Sequence, residues 1–136
     1  MIMNRSMPPN VVIPELPYPD VREAVEWLCR SFGLVERLRI GNHRAQLSFR
    51  QGSVIVTGQG GNPRAAALLV RMNDIDNHYE RAKQAGARII SPPADYPYGE
   101  RQYTAEDPGG HRWTFSQTIA DIDPLTWGCI LFEDMS

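Results

Sequence analysis

Cysteine is scarce in this chain. Cys29 and Cys129 stand alone, without the spacing of a metal or redox motif, and read as unpaired thiols of a reducing cytoplasm. No run of Lys or Arg is present. Fourteen basic and sixteen acidic residues leave a formal charge of −2, which argues against a nucleic-acid partner. Long apolar runs are missing too: none approaches the roughly 20 residues that span a bilayer, so no membrane partner is expected. Met1 to Asn10 carries one Arg and no apolar run behind it, which excludes a signal peptide and leaves a flexible tail. The stretch Gly58-Gln59-Gly60-Gly61-Asn62-Pro63 has three glycines but no Lys followed by Ser or Thr. A strand pattern, not a helix, follows it, so it is a linker rather than a phosphate-binding loop. What remains is the composition of one folded domain: 136 residues, 42% hydrophobic and 22% charged.

Periodicity divides the chain into two similar halves. Val11 to Leu16 is a short apolar strand, and Pro17 and Pro19 force an extended exit from it. Asp20 with Glu23 three residues on forms a capping-box pattern. Val21, Ala24, Val25, Leu28 and Phe32 then share one helical face, and Gly33 is the expected C-cap. Strands are predicted at Leu34 to Ile40, Arg44 to Phe49 and Ser53 to Thr57, separated by Gly41-Asn42 and Gln51-Gly52. After the linker the order returns. Ala65 to Met72 is a strand. A helix capped by Asp74 or Asp76 turns Ile75, Tyr79 and Ala82 inward, and Gly86 ends it. A strand at Ala87 to Ser91 leads into a proline-stiffened loop, Pro92 to Gly99. Strands at Arg101 to Ala105 and His111 to Gln117 are joined by the turn Asp107-Pro108-Gly109-Gly110. The expected organisation is a tail at residues 1–10, a domain at 11–119 with units of about 11–58 and 65–118, and a docking tail at 120–136.

Three stretches resemble the vicinal oxygen chelate superfamily, which unites glyoxalases, bleomycin-resistance proteins and dioxygenases. They are Leu16-Pro17-Tyr18-Pro19-Asp20 with the helix closing on Phe32-Gly33-Leu34; Val70-Arg71-Met72-Asn73-Asp74 with the helix closing on Ala85-Gly86-Ala87; and Asp107-Pro108-Gly109-Gly110-His111-Arg112-Trp113. The resemblance implies an α+β fold: two βαβββ units forming a cupped, mixed eight-stranded sheet with helices on its convex face. It implies a ligand in the cup and, in the enzymes of the superfamily, a divalent metal held from strands 1, 4, 5 and 8. Counting from the landmarks, those positions carry Ile13, a residue near Val56, one near Ala67, and Thr114. None offers the donors a divalent ion needs. His43, in a turn, His78, on the second helix, and His111, behind the last strand, are read as surface or packing residues. No metal, no cofactor and no catalytic residue is therefore assigned, and the chain looks closest to the metal-free, bleomycin-resistance-like branch.

Alternation along strands assigns the cup. It turns Ile13 and Glu15, Gln46 and Ser48, Leu69 and Arg71, and Arg112, Thr114 and Ser116 toward the concave side, while Tyr103 can point either way. Trp27, Tyr96, Tyr98, Trp127 and Phe132 exceed the needs of one core and could stack on a planar ligand. The candidate ligand contacts are Glu15, Gln46, Ser48, Arg71, Tyr96, Tyr98, Tyr103, Arg112 and Thr114. Bleomycin-resistance relatives bind flat, cationic natural products at dimer interfaces, so the resemblance implies a cytoplasmic homodimer that sequesters a partly aromatic small molecule. Two alternatives stay open. One is an enzyme using Glu15 as general base with Arg71 or Arg112 as oxyanion partner. The other is a scaffold with a vestigial cup.

Overall fold

The computed structural model describes residues 4–10, 12–58 and 65–130. The start of the predicted first strand at Val11, most of the linker, and Leu131 and Phe132 of the tail lie outside the described residues. The chain is α+β, with eight strands and two α-helices in the order strand, helix, three strands, twice. β1 (Glu15–Tyr18), α1 (Val21–Phe32), β2 (Val35–Ile40), β3 (Arg44–Phe49) and β4 (Gly52–Gly58) make the first unit. β5 (Ala67–Arg71), α2 (Ile75–Gln84), β6 (Arg88–Tyr96), β7 (Glu100–Glu106) and β8 (Arg112–Thr118) make the second. The strands form two four-stranded mixed sheets, ordered β1-β4-β3-β2 and β5-β8-β7-β6, and not one continuous sheet or a closed barrel. Among the described residues no helix is long and apolar enough to cross a membrane.

Local chemistry explains most of the elements. Asp20 caps α1 by accepting from the Glu23 amide at 3.1 Å, and Gly33, at φ 80°, closes it in the left-handed conformation that glycine adopts without strain. Three differences from the sequence reading have clear causes. β1 starts later than predicted because parallel pairing with β4 sets its register, Glu15 opposite Ile55 through Tyr18 opposite Gly58. Pro17, which has no N–H, is tolerated because β1 is an edge strand. The stretch predicted as a loop from Pro92 is largely strand: β6 runs to Tyr96, and it too is an edge, with register shifts on either side of Ser91 that accommodate the two prolines. Neither Asp74 nor Asp76 caps α2 with its side chain. Asp74 sits at φ 60° and bonds Asn77 at 2.7 Å, and the first-turn amide of Ile75 donates instead to Gln117 Oε1 of β8 at 2.9 Å.

The two units share one apolar core. Leu16, Tyr18, Val25, Leu28 and Phe32 of the first unit pack with Ile75, Tyr103, Trp113 and Phe115 of the second. Polar contacts lock the junction. Tyr18 donates to Asp107 at 2.5 Å, and Asp107 also accepts from Trp113 Nε1 at 2.9 Å. His111 donates from Nε2 to the Pro17 carbonyl at 2.8 Å and accepts the Ala66 amide on Nδ1 at 2.8 Å. Gly109 is required at this junction: a Cβ there would lie 2.7 Å from the Tyr18 ring. On the other side of the core Arg81 of α2 donates to the Cys29 and Arg30 carbonyls at the end of α1, both at 3.2 Å.

His78 belongs to this junction as well. Its Nε2 contacts the Phe32 carbonyl at 2.7 Å, so that nitrogen carries the proton and Nδ1 accepts from the Tyr103 hydroxyl. Burial pushes its pKa below the ordinary histidine value, and the positive charges of Arg81 and Arg50 push the same way. The sign for stability follows. Above about pH 6.5 the ring is neutral in both states; below it the unfolded chain binds the proton first, so stability falls. We expect the melting temperature to drop between about pH 6.5 and 5, and this portion of the drop to vanish in His78→Gln. Parallel melting profiles for parent and variant over that window, followed by circular dichroism, would show that His78 does not drive it.

Candidate functional site

The faces of the sheets turned away from the helices carry most of the residues singled out in the sequence. Registers place Glu15, Ile55 and Gln46 in one row of the first sheet, and Leu69, Thr114 and Thr104 in one row of the second. The structure does not gather them into one cluster. Glu15 is exposed and pairs with Arg44 at 2.8 Å, not with Arg71 or Arg112. Gln46 is buried because the N-terminal segment crosses over it: its Nε2 donates to the Ser6 carbonyl at 2.9 Å, its Oε1 accepts from Arg37, and Arg37 also donates to the Arg5 carbonyl at 2.8 Å. The segment expected as a loose tail thus covers this face. Ser48 lies opposite Ser53. Arg112 is exposed, 4.0 Å from Glu106. Thr114 bonds Thr104 at 2.8 Å.

Two assignments are corrected. Tyr103 points into the core and is fully buried, since its hydroxyl finds His78 on α2 and its ring stacks on Phe115 at 5.2 Å. Val56, taken as the fourth-strand metal position, also faces the core, and its outward neighbours are Ile55 and Thr57. The corrected position is no better suited to a metal: neither neighbour is a donor for a divalent ion beyond one neutral hydroxyl, and among the described residues no three His, Cys, Asp or Glu side chains converge. The residues present do not fit the superfamily's metal.

An aromatic stack lies beyond β6. Tyr96 and Tyr98 stack nearly parallel, 5.5 Å apart with 13° between planes, and Trp127 of the C-terminal segment leans on Tyr98 at 5.1 Å. Tyr98 donates to Gln102, which donates to Ser116, which donates to Glu100, at 3.0, 3.0 and 2.7 Å. Trp27, by contrast, is used in packing, edge-on against Phe32 at 4.9 Å.

A further cleft lies elsewhere, at the seam between the two units. It measures about 530 Å³, within the range of small-molecule sites. Val12 and Pro14 before β1 form one wall, with the β3–β4 hairpin from Phe49 to Val54 beside them. Leu68 to Arg71 of β5 form the other wall, and Leu34 and Trp113 complete the lining. β1 and β5 are edge strands of the two sheets and are not hydrogen-bonded to each other. Of the candidate ligand contacts named from sequence only Arg71 lines it, joined by Leu69, which alternation turns toward the cup; the Arg71 guanidinium donates to Thr118 at 2.7 Å. Arg50, Leu68, Val70 and Trp113 were missed as site residues. Arg50 fell between the predicted strand ending at Phe49 and the turn at Gln51-Gly52, and Leu68, Val70 and Trp113 were legible only as the helix-facing side of their strands.

Residues 10–115 match the Glyoxalase/Bleomycin resistance protein/Dioxygenase superfamily. The chain belongs to that superfamily. Among solved structures, TioX from Micromonospora sp. ML1 is 36% identical over 78% of this chain and 96% of its own, with a TM-score of 0.72. TnmS3, an antibiotic binding protein from Streptomyces sp. CB03234, shares the fold at 22% identity, over 80% of this chain and 95% of its own, with a TM-score of 0.69. Uncharacterized proteins of Mycobacterium bovis and Mycobacterium tuberculosis are 32% identical over 71 residues, 52% of this chain. That match spans under half of either mycobacterial protein, 45% and 41% respectively.

Proposed function

We propose that this chain is a bleomycin-resistance-like binding protein that holds a small, partly aromatic molecule without converting it and without a metal. The observation that carries the reading is the seam cleft: apolar walls from Leu68, Val70 and Val54, with Trp113 among its lining and polar side chains from Arg50, Gln51, Ser53 and Arg71. Such a site favours a flat apolar body held by few polar contacts. TnmS3, with the same fold, is described as an antibiotic binding protein, which supports sequestration. The enzyme reading has less support, since its proposed base, Glu15, is exposed and engaged by Arg44. We further propose a cytoplasmic homodimer, because the open edges of short sheets invite pairing. Sedimentation at micromolar concentration tests the dimer, and elemental analysis of untagged protein tests metal independence, with well under one equivalent expected.

The function is tested by tryptophan fluorescence titration against a panel of planar natural products. At least one compound is expected to bind at micromolar concentration or tighter. Leu68→Asp, checked for folding by circular dichroism, should weaken it by roughly tenfold or more, the cost of setting a charge against the apolar ligand. Glu15→Gln and Arg112→Ala form the contrasting arm. If those two abolish binding while Leu68→Asp does not, the ligand sits on the helix-remote faces and the seam assignment is wrong.

A further inference from the structure

The seam cleft is also charged. The charged residues that line the cleft are Arg50 and Arg71, one from each unit. A smaller adjoining cavity of about 230 Å³ is bordered by the same two arginines, with Asn73 and Thr118 beside them. Neither cavity is lined by a carboxylate. Among the described residues no carboxylate oxygen lies within 4.0 Å of either guanidinium, although the other close Arg–carboxylate pairs are formed readily across the surface. Arg71 spends one donor on Thr118, and Arg50 lies 5.7 Å from the centre of the Phe49 ring. Among the described residues no further hydrogen bond engages either guanidinium, although the Arg71 charge is felt by Glu100 of β7.

Arg50 is also in the wrong backbone conformation for its residue type. The hairpin closes on Phe49 opposite Gly52, with Arg50 and Gln51 as its two-residue turn. Arg50 takes φ 54°, whereas Gln51 is not in the left-handed region. That is the first central position of a II′-type turn, where glycine is strongly favoured. A non-glycine there carries strain, and strained positions recur at ligand clamps.

Resting on the seam site proposed above, we infer that its ligand is an amphipathic acid: a planar apolar body lying between β4 and β5, with one carboxylate, sulfonate or phosphate clamped between Arg50 and Arg71. Guanidinium groups suit this task, since each presents paired donors to a planar anion. The chemistry excludes a cationic ligand, which would bring its charge against two arginines.

The experiment uses the whole protein and a pair of fluorescent probes that differ only in charge. 8-Anilinonaphthalene-1-sulfonate has the aromatic body and the anion; N-phenyl-1-naphthylamine has the body alone. The sulfonate is expected to bind roughly tenfold more tightly, with its affinity falling as salt is raised. Arg71→Gln should remove most of that advantage and leave the uncharged probe unchanged. Arg50→Gly should do the same while the melting temperature holds or rises, because glycine relieves the turn. That combination separates a lost contact from a damaged fold. If both probes bind equally to the parent, or if neither arginine variant alters the sulfonate's advantage, the inference is overturned while the cleft reading survives. If neither probe binds, both fail together.

Discussion

Asp107→Ala is expected to lower the melting temperature by about 10–20 °C, corresponding to roughly 3–5 kcal/mol. The buried carboxylate accepts four hydrogen bonds. Oδ1 takes the amides of Gly109 and His111 at 2.9 and 3.0 Å, which fold the Asp-Pro-Gly-Gly turn. Oδ2 takes the Tyr18 hydroxyl and the Trp113 indole, at 2.5 and 2.9 Å. Three of the donors belong to the second unit and one to the first, so a single side chain ties the turn, β8 and β1 together. Burial and the adjacent Asp107 charge push the Tyr18 hydroxyl pKa far above its usual value, so that hydroxyl stays a donor. Alanine leaves buried donors without partners, which is costlier than the loss of the bonds alone. Asp107→Asn retains one acceptor oxygen but sets an amide N–H₂ against donors, and should fall between. The check is thermal unfolding by circular dichroism. A loss of only one or two degrees in Asp107→Ala would show that the carboxylate does not hold the junction.

Phe32→Ala is expected to cost about 3–5 kcal/mol, in the range for removing a buried aromatic ring. Phe32 ends α1 and is fully buried. Its ring meets Trp27 at 4.9 Å, Phe115 at 5.0 Å and Trp113 at 5.3 Å, so one residue of the first unit packs against the last strand of the second. The cavity left by alanine cannot collapse easily, because Trp113 and Phe115 are held by the β-ladder on both sides. The measurement is equilibrium denaturation in urea. A single transition at a much lower midpoint is expected, since both units share the damaged core. Two separate transitions would mean that the units fold independently and that Phe32 serves only its own. The effects of Asp107→Ala and Phe32→Ala should not add in the double variant, because both act on Trp113.

How far the sequence could be read depends on whether a feature is local. The Asp20 cap, the apolar face of α1 and Gly33 were legible because every interaction involved lies within one helix. β3 was legible for the same reason, bounded by turns on each side. Features set by distant partners were not. Alternation alone allowed Tyr103 either face; His78, on a different element, decides it. Val56 and Ile55 differ by one position, and only pairing with β1 and β3 determines which of them faces outward. Pro92 and Pro93 signalled a loop, yet an edge strand with irregular register accommodates both. The predicted cup residues do line the outer faces in part, but the seam cleft follows from how two separately hydrogen-bonded sheets meet over a shared core, and no sequence window contains that. Arg50 is the sharpest case: in sequence it only joins a predicted strand to the Gln51-Gly52 turn, and only its backbone angle and its place beside Arg71 mark it.

We propose that ligand enters the seam beside Trp113. The three tryptophans sit in distinct places: Trp113 at the cleft, Trp27 against Phe32, and Trp127 on the Tyr98 stack. Nuclear magnetic resonance of the indole N–H groups, each assigned by a Trp→Phe substitution, reports on all three in one titration. With the tightest compound from the panel, or with 8-anilinonaphthalene-1-sulfonate, the Trp113 signal should move saturably while those of Trp27 and Trp127 stay near their free positions. A saturable shift confined to Trp127 would place the ligand on the aromatic stack instead of in the seam.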